Sequence, residues 1–353
     1  MSVLELVRPE LRGFRGYSSA RREAGRAGIL LNANEASVAP ATGSLALNRY
    51  PEPQPQGLRD ALASLYGVPR ETLLIGRGSD EGIDLLTRAC CRAGEDAVLI
   101  SPPTFGMYAI CAEVQGARVV RVPLADATFA WSLDAVRAAC DRTVKLVYVC
   151  SPNNPTGGLV PREAVLALAD ALAGRALVVV DEAYVEFADV ASLAQEAATG
   201  RVAVLRTLSK AHALAGARIG VLIADRDLVA LLERLMPPYP LATPSVAAAE
   251  AALAPAALDA TRARVAATIA ERDRLARALP AIDGVVEVLP SRANFLTVRF
   301  RDGAAAFARL AAAGIVVRDV SRYEGLANTL RISIGRREEN DAVLAALAPG
   351  AAA

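Results

Sequence analysis

The chain has 353 residues, enough to bury a substantial core, and this length suggests two domains or one large domain with a smaller one attached. Lysine and arginine total 39 against 38 for aspartate and glutamate, so a net charge of +1 gives no reason to expect nucleic acid or an anionic membrane as partner. The N-terminal residues carry a charge every few positions, and no uninterrupted apolar run reaches the ~20 residues of a membrane helix. Composition therefore favours a small molecule as the partner.

Cysteine usage indicates a reducing compartment. The five cysteines are odd in number, show no CxxC spacing that would suggest a metal site, and lie mostly in apolar segments, as reduced core thiols do. We therefore expect a cytoplasmic protein without a bound metal.

Lysine is almost absent from the sequence. Only Lys145 and Lys210 are lysines, so arginine supplies 37 of the 39 basic residues. Arginine serves as a surface cation, but its guanidinium stays protonated and cannot form an imine with an aldehyde. A lysine that remains in such a chain is a candidate for chemistry that arginine cannot perform, although Lys145, at the polar edge of a strand, fits an ordinary surface charge.

Between about residues 95 and 225, short apolar runs alternate with helical patterns. Helices are predicted at 132–140, with Ser132 as N-cap, and at 161–172, with Pro161 in the first turn. The predicted strands are AVLIS (97–101), ARVVRVPL (117–124), KLVYVCSP (145–152), ALVVVDEAY (176–184), VAVLRTLSK (202–210) and IGVLIAD (219–225). Apolar strands separated by helices predict an α/β fold with a mainly parallel sheet covered on both faces.

The C-terminal third has a different pattern. A long amphipathic helix is predicted at about 256–279, and it is followed by the short apolar runs VVEVLP, FLTVRF, VVRDV and LRISI with helices between them. This order is typical of a smaller α+β domain. We assign the large domain to 45–245, and the small domain to 246–353 together with the N-terminal segment 1–44.

Polar residues follow three of the predicted strands. Asn154 follows the run 145–152, Asp181 follows ALVVV, and Lys210 follows VAVLRTL. Ligands in open α/β sheets bind at the carboxyl ends of the strands, although ordinary turns begin there too. A pyridoxal-type cofactor requires three such groups. They are a carboxylate that keeps the pyridine nitrogen protonated, a lysine that forms an imine, and an amide that donates to a ring oxygen. The alternative for Asp181 is a simple strand-terminating cap.

A phosphorylated cofactor also needs an anion site. The segment 75–91 places Gly78, Ser79 and Asp80 just before a predicted helix, whose free N–H groups and dipole attract phosphate. Ser79 and Asp80 are equally good ordinary N-cap residues, so this signal alone is weak.

Three motifs together resemble, in order and spacing, the core of fold-type-I pyridoxal 5′-phosphate (PLP) aminotransferases: SPNNPTG (151–157), DEAYVEF (181–187) and TLSKAHALAGARIG (207–220). Further segments are similar to the histidinol-phosphate aminotransferase subfamily, and they cover nearly the whole chain: GYSSARR (16–22), LNANE (31–35), NRYPEPQP (48–55), GSDEGIDLL (78–86), PPTFGMYA (102–109), PPYPLATPS (237–245), SRANFL (291–296), VRDVS (317–321) and LRISIG (330–335).

The resemblance implies roles for individual residues. Lys210 would bind PLP as an imine, Asp181 would pair with the pyridine nitrogen, and Tyr108 would stack on the ring. The ring oxygen would be held by Asn154 and Tyr184. The residues expected to hold the cofactor phosphate are Ser79, Asp80, Ser209, Arg218 and, from a second subunit, Tyr50. The residues expected to bind substrate are Tyr17, Asn34, Arg318 and Arg331. The role of Tyr50 implies a homodimer with shared active sites.

The sequence departs from the subfamily pattern in two places. Ala36 and Ser37 follow Asn34-Glu35 where many members read NENP, and His212 replaces the aromatic residue that usually follows SKA. The first departure concerns substrate contacts and not the cofactor site. His212 is expected to be a packing or supporting residue, because Lys210 already transfers protons.

The resemblance implies a reversible transamination in histidine biosynthesis. It would couple the pair glutamate/2-oxoglutarate to the pair histidinol phosphate/imidazole-acetol phosphate. An aromatic or broad-specificity aminotransferase shares most of these motifs, and a PLP-dependent decarboxylase of phosphorylated amino acids uses the same scaffold. A PLP-sensing transcription regulator is disfavoured, because no helix-turn-helix region precedes LNANE (31–35) and the chain has no basic excess.

Overall fold

The structure is a computed structural model that describes residues 2–16, 31–40, 47–126 and 128–348. Its main sheet has seven strands in the order β1-β7-β6-β5-β4-β2-β3. Strand β7 pairs antiparallel with both of its neighbours, and the other pairings are parallel. The strands are β1 (Leu73–Gly76), β2 (Ala97–Ile100), β3 (Arg118–Arg121), β4 (Val144–Cys150), β5 (Leu177–Asp181), β6 (Ala203–Thr207) and β7 (Gly220–Ile223).

Helices cover both faces of this sheet. In β5 alternate residues enter opposite cores, since Val178 and Val180 pack into one apolar cluster and Leu177 and Val179 into the other. This explains why the strand is a continuous apolar run and does not alternate with polar residues. The helices up to residue 252 are α1 (Pro9–Arg12), α2 (Gln56–Tyr66), α3 (Ser79–Cys90), α4 (Met107–Gln115), α5 (Leu133–Ala139), α6 (Arg162–Ala171), α7 (Ala194–Ala198), α8 (Arg226–Leu235) and α9 (Thr243–Ala252).

A second, antiparallel sheet follows, with the order β10-β11-β9-β8 and its own apolar cluster. Its strands are β8 (Val285–Val288), β9 (Phe295–Phe300), β10 (Arg318–Asp319) and β11 (Thr329–Ser333), and the helices of this part are α10 (Pro255–Ala278), α11 (Gly303–Ala312) and α12 (Arg337–Leu347). Helix α10 links this region to the large sheet through buried Arg272, which donates to the carbonyls of Phe187 at 3.1 Å and Ala293 at 3.2 Å.

The predicted fold class is confirmed, including the long helix and the change of architecture after it. Ser132 caps α5 as expected, because its hydroxyl accepts the N–H of Ala135 at 3.2 Å. The domain assignment of the N-terminal segment is wrong for the part that the structure describes. Val7 is buried in a core cluster of the large sheet, and the N–H of Arg8 donates to the carbonyl of Ala89 at 2.9 Å.

No helix within the described ranges is both long and apolar enough to cross a membrane.

Candidate active site

A cleft of about 480 Å³ opens where β4, β5 and β6 end, a volume suited to a small molecule. The large sheet contributes Asn154, Asp181 and Lys210 to its wall, so the three polar signals of the sequence converge as predicted. The antiparallel domain contributes the facing wall, which includes Arg318 and Arg331. The site therefore lies between the two domains.

Lys210 lies three residues beyond the end of β6, where its side chain is half-buried in the cleft. Its Nζ is 5.7 Å from the centre of the Tyr184 ring. Burial lowers the pKa of Lys210, and the nearby guanidinium of Arg331 lowers it further. A lowered pKa increases the fraction of free amine near neutral pH, which is the form that attacks a carbonyl. Lys145, in contrast, lies 3.8 Å from Asp96 and away from the cleft.

Asp181 is the last residue of β5 and is almost fully buried. Its Oδ1 accepts the N–H of Ala183 at 3.0 Å, and its Oδ2 accepts the hydroxyl of Tyr108 at 2.7 Å. Burial raises the pKa of Asp181, and these two hydrogen bonds oppose that rise. A buried carboxylate at the floor of a cleft is suited to pairing with a cationic ligand atom, since an unpaired buried charge is costly.

Asn154 connects the two walls of the cleft. Its Oδ1 accepts a hydrogen bond of 2.5 Å from Nη1 of Arg331. The Arg331 guanidinium also lies over the ring of Phe295, with 5.4 Å to the ring centre. Tyr184 lines the cleft beside them and packs edge-on against Phe295 at 5.3 Å. Burial raises the pKa of the Tyr184 phenol, so its hydroxyl stays protonated and able to donate.

The start of α3 lines the same cleft and is suited to be the predicted anion site. The N-cap Gly78 has φ +86° and provides no side-chain cap, which leaves the first N–H groups of the helix available. A side chain at position 78 would also clash, because a Cβ there would lie 2.5 Å from Nη2 of Arg218. Ser79, Ser209 and Arg218 line the cleft around this helix end.

Arg218 adds positive charge to this anion site. Its Nη2 lies 3.2 Å from Oδ2 of Asp80, and the exposed geometry of both side chains leaves the guanidinium able to reach a further anion. Gly220 allows the close approach behind the site, since a Cβ there would lie 2.1 Å from the backbone nitrogen of Ser79. The predicted residues Ser79, Asp80, Ser209 and Arg218 are thus brought together.

The antiparallel domain brings two like charges face to face. Arg318 on β10 is the direct cross-strand partner of Arg331 on β11, and both side chains line the cleft. Like charges directly opposite each other destabilise a sheet. An anion between the two guanidinium groups would remove this cost, because guanidinium binds carboxylate or phosphate through paired donors.

The stacking role predicted for Tyr108 is wrong. Tyr108 is fully buried, and its ring is stacked on Tyr148 with 4.6 Å between the ring centres and 4° between the ring planes. No part of the ring is open to the cleft. Phe105, three residues earlier, lines the cleft instead. The sequence PPTFGMYA offers two aromatic residues, and only the packing of α4 decides which one faces the ligand.

Two other predicted residues, Tyr50 and Asn34, do not line this cleft in the described structure. Tyr50 is half-exposed and stacks on Tyr239 with 4.4 Å between ring centres. Asn34 is exposed, with φ +55°. Tyr17 lies outside the described residues. Glu35 gives the LNANE segment a structural role, since its carboxylate accepts the N–H of Tyr50 at 2.7 Å.

His212 is buried on the far side of the Lys210 loop, beside Arg206 and Glu186. Burial lowers the pKa of its imidazole, so the ring is neutral at physiological pH. This environment fits the packing role expected for it.

Sequence reasoning missed Phe105 and two residues of the loop after β10, Arg322 and Tyr323, all of which line the cleft. The guanidinium of Arg322 lies 5.5 Å from the centre of the Tyr323 ring. The available signal was that this loop directly follows the quoted segment VRDVS, although nothing in the sequence shows that it turns back to the cleft. Among the described residues, no cluster of His, Cys, Asp and Glu side chains could hold a metal ion.

This arrangement fits PLP. The cleft offers a lysine whose pKa is lowered by burial, a buried carboxylate and an uncapped helix start with an arginine beside it. These match the aldehyde, the pyridine nitrogen and the phosphate of that cofactor.

Comparison with known proteins agrees with the geometry. The profile of the family "Aminotransferase class I and II" matches residues 28–347. A histidinol-phosphate aminotransferase of Stenotrophomonas maltophilia is 55% identical over 99% of this chain and 98% of the relative. One from Xanthomonas euvesicatoria pv. vesicatoria is 53% identical over 98% of this chain and 97% of the relative.

Among solved structures, histidinol-phosphate aminotransferase from Sinorhizobium meliloti in complex with pyridoxal 5′-phosphate superimposes with a TM-score of 0.76. It is 31% identical, and the match covers 85% of this chain and 82% of that structure. The agreement of site, fold and sequence assigns the cofactor as PLP. The chain belongs to the class I and II aminotransferases and, within them, to the histidinol-phosphate aminotransferase family.

Proposed function

We propose that this protein transfers an amino group reversibly between glutamate and imidazole-acetol phosphate, producing 2-oxoglutarate and histidinol phosphate. The observation that supports this most directly is the composition of the cleft, where Lys210 and Asp181 face the opposed pair Arg318 and Arg331. A PLP site joined to a doubly cationic wall suits a substrate that carries both an amino group and an anionic group. Relatives with 52–55% identity that are named for this activity support the same conclusion.

The large domain holds and activates the cofactor. When bound, PLP supplies an electron-withdrawing ring that stabilises negative charge at the substrate carbon. Asp181 keeps the ring nitrogen protonated through charge pairing, and the amide of Asn154 and the hydroxyl of Tyr184 donate to the ring oxygen. Ser79, Ser209 and Arg218 hold the phosphate, together with the free N–H groups at the start of α3.

Lys210 is the catalytic base. Its Nζ is the amine that would link to the cofactor, and the same atom would take a proton from one substrate carbon and return it to another. The burial and the neighbouring Arg331 guanidinium that lower its pKa suit both tasks. Phe105 takes the place that the sequence analysis gave to Tyr108, with its ring toward the cofactor.

The small domain binds the substrate anion. Arg318 and Arg331 hold the phosphate of histidinol phosphate in one half-reaction and a carboxylate of glutamate in the other. Arg322, on the next loop, adds a third guanidinium to the same wall and favours the dianion. Tyr17 and Asn34 are proposed to complete the substrate site, as the resemblance implies.

The functional unit is proposed to be a cytoplasmic homodimer. Tyr50 is half-exposed and is not among the described residues that line its own chain's cleft, which suits a residue that reaches the phosphate of the partner's cofactor. Its position is fixed by the stack on Tyr239 and by the bond from its N–H to Glu35. The five cysteines are buried and free, as in a reducing compartment.

The test is a stopped assay of glutamate formation from 2-oxoglutarate, with histidinol phosphate, histidinol or phenylalanine as the amino donor. We expect histidinol phosphate to have much the highest kcat/KM. Equal rates with histidinol and histidinol phosphate would favour a general aromatic aminotransferase. Carbon dioxide release from threonine phosphate without amino transfer would favour a decarboxylase.

A further inference from the structure

Tyr108 has a fixed position beneath the carboxylate of Asp181. Its side chain is completely buried, and its hydroxyl donates a hydrogen bond of 2.7 Å to Oδ2 of Asp181. Helix α4 carries Tyr108, whereas Asp181 ends β5, so the bond joins two separate elements. This contact is unrelated to the ring-stacking role that the sequence suggested.

A second aromatic ring holds Tyr108 in place. The ring of Tyr148 is parallel to it at 4.6 Å, and Phe105 packs edge-on from another side at 5.6 Å. Tyr148 is itself fixed, because its hydroxyl donates to the carbonyl of Ile83 at 3.2 Å and lies 3.3 Å from Oγ1 of Thr87. The Tyr108 hydroxyl therefore has a single position in the core.

The hydrogen bond determines the orientation of the carboxylate. One oxygen of Asp181 accepts the N–H of Ala183 and the other accepts Tyr108, so rotation about the bond to the carboxylate would break both contacts. Among the described residues, Tyr108 supplies the one side-chain donor to this group. Burial raises the pKa of Asp181 and the Tyr108 bond opposes the rise, which favours the ionised form.

We propose that Tyr108 is a positioning residue whose hydroxyl orients Asp181 toward the ring nitrogen of the cofactor and keeps it available as an ion-pair partner. This inference rests on the proposed function, since it assumes that Asp181 meets that nitrogen. The hydroxyl does not touch substrate or cofactor. It acts through the carboxylate alone.

The test compares Tyr108→Phe with Tyr148→Phe. Both substitutions keep the stacked pair of rings and remove one buried hydroxyl, but only the first removes a donor to Asp181. The measurement is the dissociation constant of PLP from the cofactor-free protein, obtained by titration, together with thermal unfolding of the cofactor-free proteins. Hydrogen bonds to charged groups have a strength that corresponds to roughly a 10- to 150-fold change in affinity.

We expect Tyr108→Phe to weaken PLP binding within that range and Tyr148→Phe to leave it within about threefold of the wild type. In an Asp181→Asn background, Tyr108→Phe should cause little further change, because the charge that the hydroxyl orients is gone. Equal loss of PLP affinity in both Tyr→Phe variants, or the same loss with Asn at position 181, would reduce Tyr108 to a structural role. Failure of the wild type to bind PLP would instead overturn the proposed function.

Discussion

Replacing Arg318 by Gln should stabilise the ligand-free protein and weaken its hold on the substrate. Arg318 lies directly across from Arg331 in the β10–β11 pair, and both guanidinium groups face the cleft. Among the described residues, no carboxylate forms a salt bridge with Arg318. The pair therefore combines like charges at adjacent positions, which suits an anion site and is unfavourable in its absence.

The size of both effects follows from this geometry. A like-charge pair directly across two antiparallel strands costs about 0.2–1 kcal/mol, and its removal should raise the unfolding temperature of a chain of this length by up to about 1.5 °C. Loss of one charge-assisted contact to a bound phosphate costs about 1.5–3 kcal/mol, which corresponds to roughly a 10- to 150-fold loss in kcat/KM for the phosphorylated substrate. The same substitution thus changes stability and activity in opposite directions.

The same sheet offers a matched control. Arg299 on β9 lies across from Glu287 on β8, and the two side chains form a salt bridge of 3.2 Å. Thermal unfolding at low salt should show that Arg299→Gln lowers the unfolding temperature while Arg318→Gln raises it. Added inorganic phosphate should stabilise the wild type more than Arg318→Gln. If Arg318→Gln destabilises the ligand-free protein as much as Arg299→Gln does, repulsion between Arg318 and Arg331 is not the cause that we describe.

Three further predictions concern the cofactor. Lys210→Arg should abolish both turnover and the PLP that borohydride reduction fixes to the chain, and a reducible adduct in this variant would refute the role of Lys210. Asp181→Asn should bind PLP more weakly and, even when saturated with PLP, should lose activity by a large factor, because an amide cannot keep the ring nitrogen protonated; wild-type turnover would identify Asp181 as a strand cap. Mixing inactive Lys210→Ala with inactive Tyr50→Ala chains should restore part of the activity, and no recovery despite proven subunit exchange would exclude shared sites.

The sequence was a good guide to the large sheet because its strands are unusually apolar. Strands such as β5 are buried on both faces, so they stand out as continuous β-branched runs between helices. The first strand, Leu73–Gly76, was not predicted, since four residues followed by a glycine-rich loop give little periodicity. The place of residues 2–16 was also wrong, because their few apolar side chains, such as Val7, do not indicate which core they join.

The candidate site was predictable where chemistry restricts the residue type. Only a lysine can form the imine, and the chain has two, so Lys210 emerged from composition and position together. Tyr108 and Phe105 are both aromatic and three residues apart, and sequence alone cannot say which of them faces the cleft. Arg322 and Tyr323 were missed for a related reason, since their loop reaches the site only through the fold of the second domain.

Asn154 shows how the two domains act on one ligand. An amide side chain has an acceptor oxygen and a donor nitrogen, and its two ends can be used at once. Its oxygen accepts Nη1 of Arg331 from the small domain at 2.5 Å, which leaves the nitrogen for the donation to the ring oxygen of the cofactor that we propose. Asn154 would therefore contact both the arginine proposed to bind the substrate anion and the cofactor held by the large domain. Because the Arg331 bond orients the amide, anything that moves Arg331 also changes the donor offered to the ring, so the proposed roles of Arg331 in substrate recognition and of Asn154 in cofactor activation are linked.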